Sequence, residues 1–272
     1  MIPLKKLTKE QVSLLHRLTS VEELEKTREA ILKVKNNKKV CITVCLGTGC
    51  HANAGRDVYE MLQQEIASQG LTGEIELKPT GCRGFCEQGP MVVIYPGELC
   101  YCRVKPEHAA DIIKTTVLEK KIIEELLYED PVTGQKYGQE AEIPFYRNQN
   151  RIILGASRFL NPQDIRDYLA QGGYRSLAKV LTSMAPEQVI VEIKKADLRG
   201  RGGGGFPAGL KWETTRNTPA DKKYVIVNAD EGDPGAYMDR SLLEGNPHLI
   251  LEGLTIGAYA IGADEGFVYV RQ

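Results

Sequence analysis

Apolar positions along the chain change period several times, and each change marks an element. Leu14, Leu15 and Leu18, then Leu24, Ile31 and Leu32, recur at helical spacing. Each group follows a capping box, Thr8-x-x-Gln11 or Ser20-x-x-Glu23, in which the cap hydroxyl and the third residue satisfy each other's free backbone donors. The pattern predicts two short helices within residues 1–37, joined near Thr19-Ser20. From Lys39 the rhythm differs. Val40-Cys-Ile-Thr-Val44 is β-rich, Asn53 to Gln69 has helical spacing, and Glu74-Ile-Glu-Leu77 alternates. Met91-Val-Val-Ile-Tyr95 is apolar and β-rich, Leu99 to Val104 alternates again, and Pro106 opens a helix to about Thr116. The order β-α-β-β-β-α predicts a small α/β domain over residues 38–118.

Residues 119–139 are charged and turn-rich (Asp130-Pro131, Thr133-Gly134, Tyr137-Gly138) and read as a linker. The charged, turn-rich character continues to Asn150, and Arg151-Ile-Ile-Leu154 restarts order. Asn161-Pro162 supplies a helix cap and a first-turn proline, and Pro186 to Lys195 reads as a helix leading into a glycine cluster. Tyr224-Val-Ile-Val227 reads as a short buried strand, Leu249 to Ile261 as an apolar helix, and Phe267 to Val270 as a strand. The chain has no internal repeat and no low-complexity segment.

Composition narrows the function classes. Lys and Arg number 35 against 36 Asp and Glu, so no global basic field attracts nucleic acid. The start of the chain has no apolar core of a signal peptide, and no run reaches the roughly 18 apolar residues of a membrane span, which argues against direct membrane insertion. The seven cysteines do not follow the spacings of a small secreted scaffold. A cytoplasmic, reducing setting is expected, where clustered cysteines act as metal ligands or redox groups.

Four of the cysteines lie on glycine-rich loops. Cys45-Leu-Gly-Thr-Gly-Cys50 and Cys82-Arg-Gly-Phe-Cys86 each follow a predicted strand, so both pairs can converge at one end of the small sheet. Four such thiolates can hold a [2Fe–2S] cluster, with amides of Gly47, Gly49, Gly81 and Gly84 turned to its sulfurs. Structural zinc is a weaker fit, because its knuckles use C-x2-C pairs. Disulfides are disfavoured by the compartment. Cys41, Cys100 and Cys102 sit in strand-like runs and read as buried thiols, and His51 reads as a solvated neighbour of Cys50. The pairs, with Gly-Cys-Arg-Gly-Phe-Cys around the second, resemble the thioredoxin-like [2Fe–2S] ferredoxins, including the small iron–sulfur subunit of respiratory complex I, over residues 38–116.

A second set of motifs follows. Arg199 to Trp212 contains G-x-G-x-x-G from Gly200 to Gly205, but a predicted helix precedes it rather than the strand of a dinucleotide fingerprint, and it lacks the ending of a phosphate-binding P-loop. Its glycines allow close backbone approach to a ligand, with Arg199, Arg201 and Lys211 adding positive charge. Tyr224 to Gly235 then sets Asn228, Asp230, Glu231 and Asp233 at the carboxyl end of a strand. These can bind ribityl or ribose hydroxyls, hold a hard metal ion, or form an ordinary acidic turn.

Taken together with Asp239-Arg240 and Pro247-His248, these segments closely resemble the flavin subunit of complex I and matching subunits of NAD(P)-linked hydrogenases and formate dehydrogenases, over residues 140–272. The order with a ferredoxin domain in front looks most like the β subunit of multimeric, often electron-bifurcating, hydrogenases. The resemblance implies an α/β chain in which a thioredoxin-like ferredoxin domain precedes the first part of a Rossmann-like flavin-subunit domain. It implies an electron-transfer subunit moving electrons between NAD(H) or NADP(H), FMN and iron–sulfur clusters, with the subunits of a hydrogenase, formate dehydrogenase or NADH dehydrogenase complex as partners. By the same resemblance Cys45, Cys50, Cys82 and Cys86 ligate the [2Fe–2S] cluster. Gly200, Arg201, Gly202, Lys211, Asn228 and Asp230 contact FMN, and Gly203, Gly204, Phe206 and Asp233 line the nicotinamide nucleotide site. No side chain is expected to act as nucleophile or base. Gly204 stands where the family commonly has Ala, and Asp233 where it often has Glu. The family continues with a further flavin-binding segment, a ubiquitin-like domain and a cysteine-rich domain holding a [4Fe–4S] cluster, so the sequence reads as a fragment with half of its flavin site. The rival expectation is a [2Fe–2S] electron-carrier or assembly module that binds no flavin.

Overall fold

A computed structural model describes residues 17–36 and 40–271. The helix predicted after Thr8 falls almost entirely outside the described residues. The chain divides into two units, one drawn from Met1–Val34, Leu169–Val225 and Glu252–Gly266, the other from Lys35–Tyr168, Ile226–Leu251 and Phe267–Gln272.

Helix α1 (Val21–Asn36) starts where the capping box predicts. The Glu23 amide donates to Ser20 Oγ at 3.1 Å, while the Glu23 carboxylate reaches back one residue further than expected, to the amide and hydroxyl of Thr19. In the second unit, strands β1 (Val40–Cys45), β2 (Ile75–Thr80), β3 (Val92–Tyr95) and β4 (Leu99–Tyr101) form one sheet in the order β2-β1-β3-β4. β1 runs parallel to β2 and antiparallel to β3, which pairs antiparallel with β4. The crossover between the parallel strands holds the short helix α2 (Thr48–Ala52) and helix α3 (Gly55–Ser68). Val58, Leu62 and Ile66 recur on one side of α3 and pack with Ile42, Val44 and Ile94 of the sheet. The segment after Pro106 is helical as predicted, but it closes as a wider π-helix over Ile112–Leu118.

The central strands are buried on both faces, so the face opposite α3 also needs a cover. Residues from the stretch read as a linker, and just beyond it, supply that cover. Tyr128, Ile143 and Tyr146 are buried in a second cluster with Val93, Cys100 and Met91. Tyr128–Glu129 and Lys136–Tyr137 form a short antiparallel hairpin. The charges and turns of residues 119–139 thus lie on the outside of a packed segment. Their apolar residues are too sparse to show a period.

In the first unit, helices α4 (Arg175–Ser183), α5 (Pro186–Lys195) and α6 (Ala208–Asn217) pack with the apolar helix α8 (Pro247–Ile261) around Val180, Val189, Ile190, Ala260 and Trp212. Helix α7 (Met238–Gly245) precedes α8 in the chain. Asn161-Pro162 does not open a helix directly. Asn161 accepts the Gln163 amide in a turn, and the helical residues begin at Ile165. Strands β5 (Tyr224–Ala229) and β6 (Glu265–Val270) make a two-stranded sheet. The expectation of a buried β5 is not met: Tyr224 and Ile226 are exposed, because a two-stranded ribbon lacks neighbours on both sides. Only the Val225 side of the strand reaches other apolar surface, near Gly257 and Gly266.

Candidate functional site

The register of the parallel pair decides where the cysteines go. Cys45, the last residue of β1, lies opposite Thr80, the last residue of β2. The Cys50 and Cys82 loops therefore leave adjacent strands at the same end, where α/β proteins place ligands. The Leu46 amide donates to the Thr80 carbonyl at 2.9 Å, carrying the pairing one residue into the loops. Cys50 follows in α2, and Cys86 opens a tight turn over Cys86–Gln88.

The loops touch through glycine. A β-carbon on Gly47 would lie 2.8 Å from Cys82 Cβ, one on Gly49 3.0 Å from Cys86 Cβ, and one on Gly89 2.5 Å from Cys50 Sγ. Each contact joins one cysteine loop to the other, and each excludes a side chain. Gly84, at φ +81°, turns its amide onto Cys82 Sγ at 3.2 Å. Gly81 packs on Gly245 at the end of α7, where a β-carbon would come within 2.6 Å of the Gly245 Cα.

The four thiols influence one another. Cys50 hydrogen-bonds Cys45, and this bond, against the cost of burial and with help from the Gly47 and Arg83 amides, brings the Cys45 thiol down to about 6. The same bond and burial raise Cys50. Burial raises Cys82 to about 11, partly offset by the Gly84 amide, and Cys82 also meets the charges of Cys45 and Cys86. Among the described residues no three His, Cys, Asp or Glu side chains gather as they would around a single metal ion. His51 is exposed beside this site.

Arg83, between Cys82 and Cys86, turns its side chain into the protein and is fully buried. Its Nη1 donates to both carboxylate oxygens of Glu140 at 2.9 Å, and its Nη2 donates to Thr43 Oγ1 at 2.7 Å. Burial works against this cation, but the Glu140 charge and hydrogen bonds raise it above its ordinary value. The sequence reading missed Glu140, since one more acid in a charged stretch gives no signal. Phe85 stacks on Phe145 with ring centroids 4.3 Å apart, beside Tyr146.

The glycine loop is rooted between α5 and α6 in the first unit. Its base is closed by bonds from the Gly200 amide to Phe206 O at 2.9 Å and from the Ala208 amide to Leu198 O at 2.8 Å. Gly209 fits against Lys194, where a β-carbon would lie 2.5 Å from Cγ. The rim is open. β-Carbons on Gly202, Gly203, Gly204 and Gly205 would meet nothing within 4 Å, and only Gly203 (φ +95°) and Gly205 (φ +59°) need glycine for their backbone. Arg201 is exposed, Phe206 is 51 % exposed, and the Lys211 ammonium stands 5.7 Å from its ring centroid. Phe206 and Lys211 thus adjoin one another at the open rim.

The acidic turn belongs to the other unit. Asn228 Oδ1 accepts the Asp230 amide at 3.0 Å, ordering the turn after β5. Glu231 accepts the amides of Asp239 and Arg240 at 2.9 and 3.1 Å, so it caps α7 and is committed to the fold. Asn228, Asp230 and Asp233 remain exposed.

Two known families match the chain. The thioredoxin-like [2Fe-2S] ferredoxin family matches residues 30–117, and the Nuo51 FMN-binding domain matches residues 193–272. The two matches place a thioredoxin-like [2Fe-2S] ferredoxin segment ahead of a Nuo51-type FMN-binding segment in one chain. Among curated relatives, the NADP-reducing hydrogenase subunit HndC of Solidesulfovibrio fructosivorans is 51 % identical over 125 residues, covering 46 % of this chain and 25 % of the relative. The NAD-reducing hydrogenase HoxS subunit alpha of Cupriavidus necator is 34 % identical over 241 residues, covering 87 % of this chain and 38 % of that one. The chain therefore spans between a quarter and two-fifths of the length of these relatives. A solved thioredoxin-like [2Fe-2S] ferredoxin from Aquifex aeolicus superposes with TM-score 0.31 and 26 % identity, covering 33 % of this chain and 89 % of its own.

Proposed function

We propose that Cys45, Cys50, Cys82 and Cys86 hold a [2Fe–2S] cluster, and that the chain is an electron-transfer part of an NAD(P)H:acceptor oxidoreductase. The observation that carries this reading is the meeting of the two cysteine loops through glycine at the end of adjacent parallel strands. Zinc is disfavoured by the loops of four and three intervening residues, since its knuckles use C-x2-C pairs.

The flavin and nucleotide roles rest on the match to the FMN-binding family over residues 193–272. Gly202 presents an amide, and Arg201 and Lys211 positive charge, suited to the FMN phosphate, with Gly200 contributing close backbone approach while its own amide closes the loop base, and Asn228 and Asp230 present acceptors suited to the ribityl hydroxyls. Gly203, Gly204, Phe206 and Asp233 face the nicotinamide nucleotide in this reading, with Phe206 offering a ring for stacking. Bound FMN supplies the exchange between two-electron hydride chemistry and the one-electron steps that iron–sulfur centres carry. The side chains bind, orient and exclude water, and none acts as nucleophile or base. NADH and NADPH both fit the reading, as do partner subunits of a hydrogenase, formate dehydrogenase or NADH dehydrogenase complex. A cytoplasmic setting suits seven free cysteines. No described helix is long and apolar enough to cross a membrane.

The test is an absorption spectrum of anaerobically purified protein before and after dithionite, with iron, acid-labile sulfide and acid-released flavin measured. Two irons and two sulfides per chain with dithionite-bleachable bands are expected, together with bound FMN. Cluster bands without flavin would leave an electron-carrier module. Zinc in place of iron would overturn the cluster.

A further inference from the structure

Arg83 is the largest fully buried side chain among the described residues, and it stands between two of the cysteines assigned to the cluster. Its guanidinium meets Glu140 through two 2.9 Å bonds, Thr43 Oγ1 at 2.7 Å and the Arg158 carbonyl at 3.0 Å. Glu140 is 1 % exposed and also receives Arg158 Nη1 at 3.3 Å. The Arg83 carbonyl accepts from Tyr146 Oη at 3.2 Å and Arg151 Nη1 at 2.6 Å. Residue 83 is thus fixed at both ends, to β1 through Thr43 and to residues 140–158 through the other four partners. A buried ion pair seldom adds net stability over apolar residues of the same volume. A role in holding the loop and setting its charge accounts for the pair better than a role in folding energy.

We propose that Arg83 and Glu140 form a positioning pair, which holds the Cys82–Cys86 loop in its ligand geometry and sets the electrostatic potential felt by the cluster. The proposal rests on the reading that the four cysteines carry that cluster. Arg83 brings a fully buried cation next to Cys82, and Glu140 balances it through an ion pair at 2.9 Å. Reduction adds an electron to the cluster, so an unbalanced cation nearby favours the reduced form and an unbalanced anion disfavours it. The two members of the pair therefore act with opposite sign.

The test is the cluster's reduction midpoint and its electron paramagnetic resonance spectrum, measured on the full chain. Glu140→Gln leaves Arg83 and Arg158 without their carboxylate, and its midpoint is expected to rise. Arg83→Gln removes the cation, and its midpoint is expected to fall. Glu140→Asp keeps the charge and is expected to return most of the way to the wild-type value. Midpoints equal to wild type in both charge variants, or shifts in the same direction, would overturn the pair. Should either charge variant lose its cluster, Thr43→Val decides: it removes one neutral acceptor from the guanidinium and is expected to raise the midpoint above the wild-type value, and an unmoved midpoint overturns the proposal. A wild-type chain without a [2Fe–2S] spectrum would instead overturn the cluster reading beneath it.

Discussion

At the scale of single residues, the cysteine site is governed by what glycine leaves out. Gly89 and Gly73 make the contrast measurable. A methyl group on Gly89 would meet Cys50 Sγ at 2.5 Å, whereas one on Gly73 would meet nothing within 4 Å, and neither glycine has a positive φ. Gly89→Ala should force the Cys50 sulfur to move and cost about 1–3 kcal/mol by overpacking, with iron per chain falling below half of wild type. Gly73→Ala should leave iron content unchanged and stability within ~0.5 kcal/mol. Equal iron content in the two variants would contradict the close approach of the loops. The convergence of the two cysteine loops was legible in the sequence because spacing and a preceding strand are visible in a dozen residues, although the Gly81 amide expected to face the sulfurs donates to Ser157 O at 3.1 Å instead. Glu140 was not, since its partner Arg83 lies 57 positions away and a surface acid looks the same on paper.

At the scale of elements, the sequence pattern located α1, α3, α5 and α8, missed α4, α6 and α7, and said less about what each helix covers. Helix α3 shows its buried stripe at Val58, Leu62 and Ile66. The apolar helix α8 carries Glu252, which reads as an interruption and is in fact a tie. Its carboxylate accepts the amides of Tyr174 at 2.8 Å and Leu177 at 3.0 Å, at the start of α4. Tyr174 precedes that helix in a left-handed conformation and provides no side-chain cap of its own. Glu252 therefore satisfies amides that the helix end leaves unpaired. Glu252→Ala should destabilise the protein by about 1–3 kcal/mol, read as a lowered denaturant midpoint, with Glu252→Gln losing less because one acceptor remains. A Glu252→Ala midpoint equal to wild type would remove this role. The second face of the four-stranded sheet was illegible for a related reason. Its cover comes from isolated residues, Tyr128, Ile143 and Tyr146, spread through a charged stretch without a repeating period.

At the scale of the molecule, the residues proposed for the cluster and those proposed for FMN are different side chains, and the two sites should respond separately to mutation. The cysteine loops grow from the four-stranded sheet, while Lys211 stands at the rim of a glycine loop rooted between two helices. A Lys211 ammonium on a phosphate, or an Asp230 carboxylate on a hydroxyl, is a charge-assisted hydrogen bond of about 1.5–3 kcal/mol. Its loss converts to an FMN affinity weaker by about 10- to 150-fold. Lys211→Ala and Asp230→Ala should each weaken FMN binding within that range, measured by fluorescence quenching of the free flavin. Neither change should alter the iron content or the bleachable [2Fe–2S] absorption, since neither residue belongs to the cysteine loops. The ligand-deleting variant Cys86→Ser should do the reverse, disturbing the cluster spectrum and leaving FMN affinity as it was. Unchanged FMN affinity in both Lys211→Ala and Asp230→Ala would remove the flavin assignment from these loops. Cluster loss on substitution of Lys211 would show that the two sites are coupled, and the division of labour proposed between them would fall.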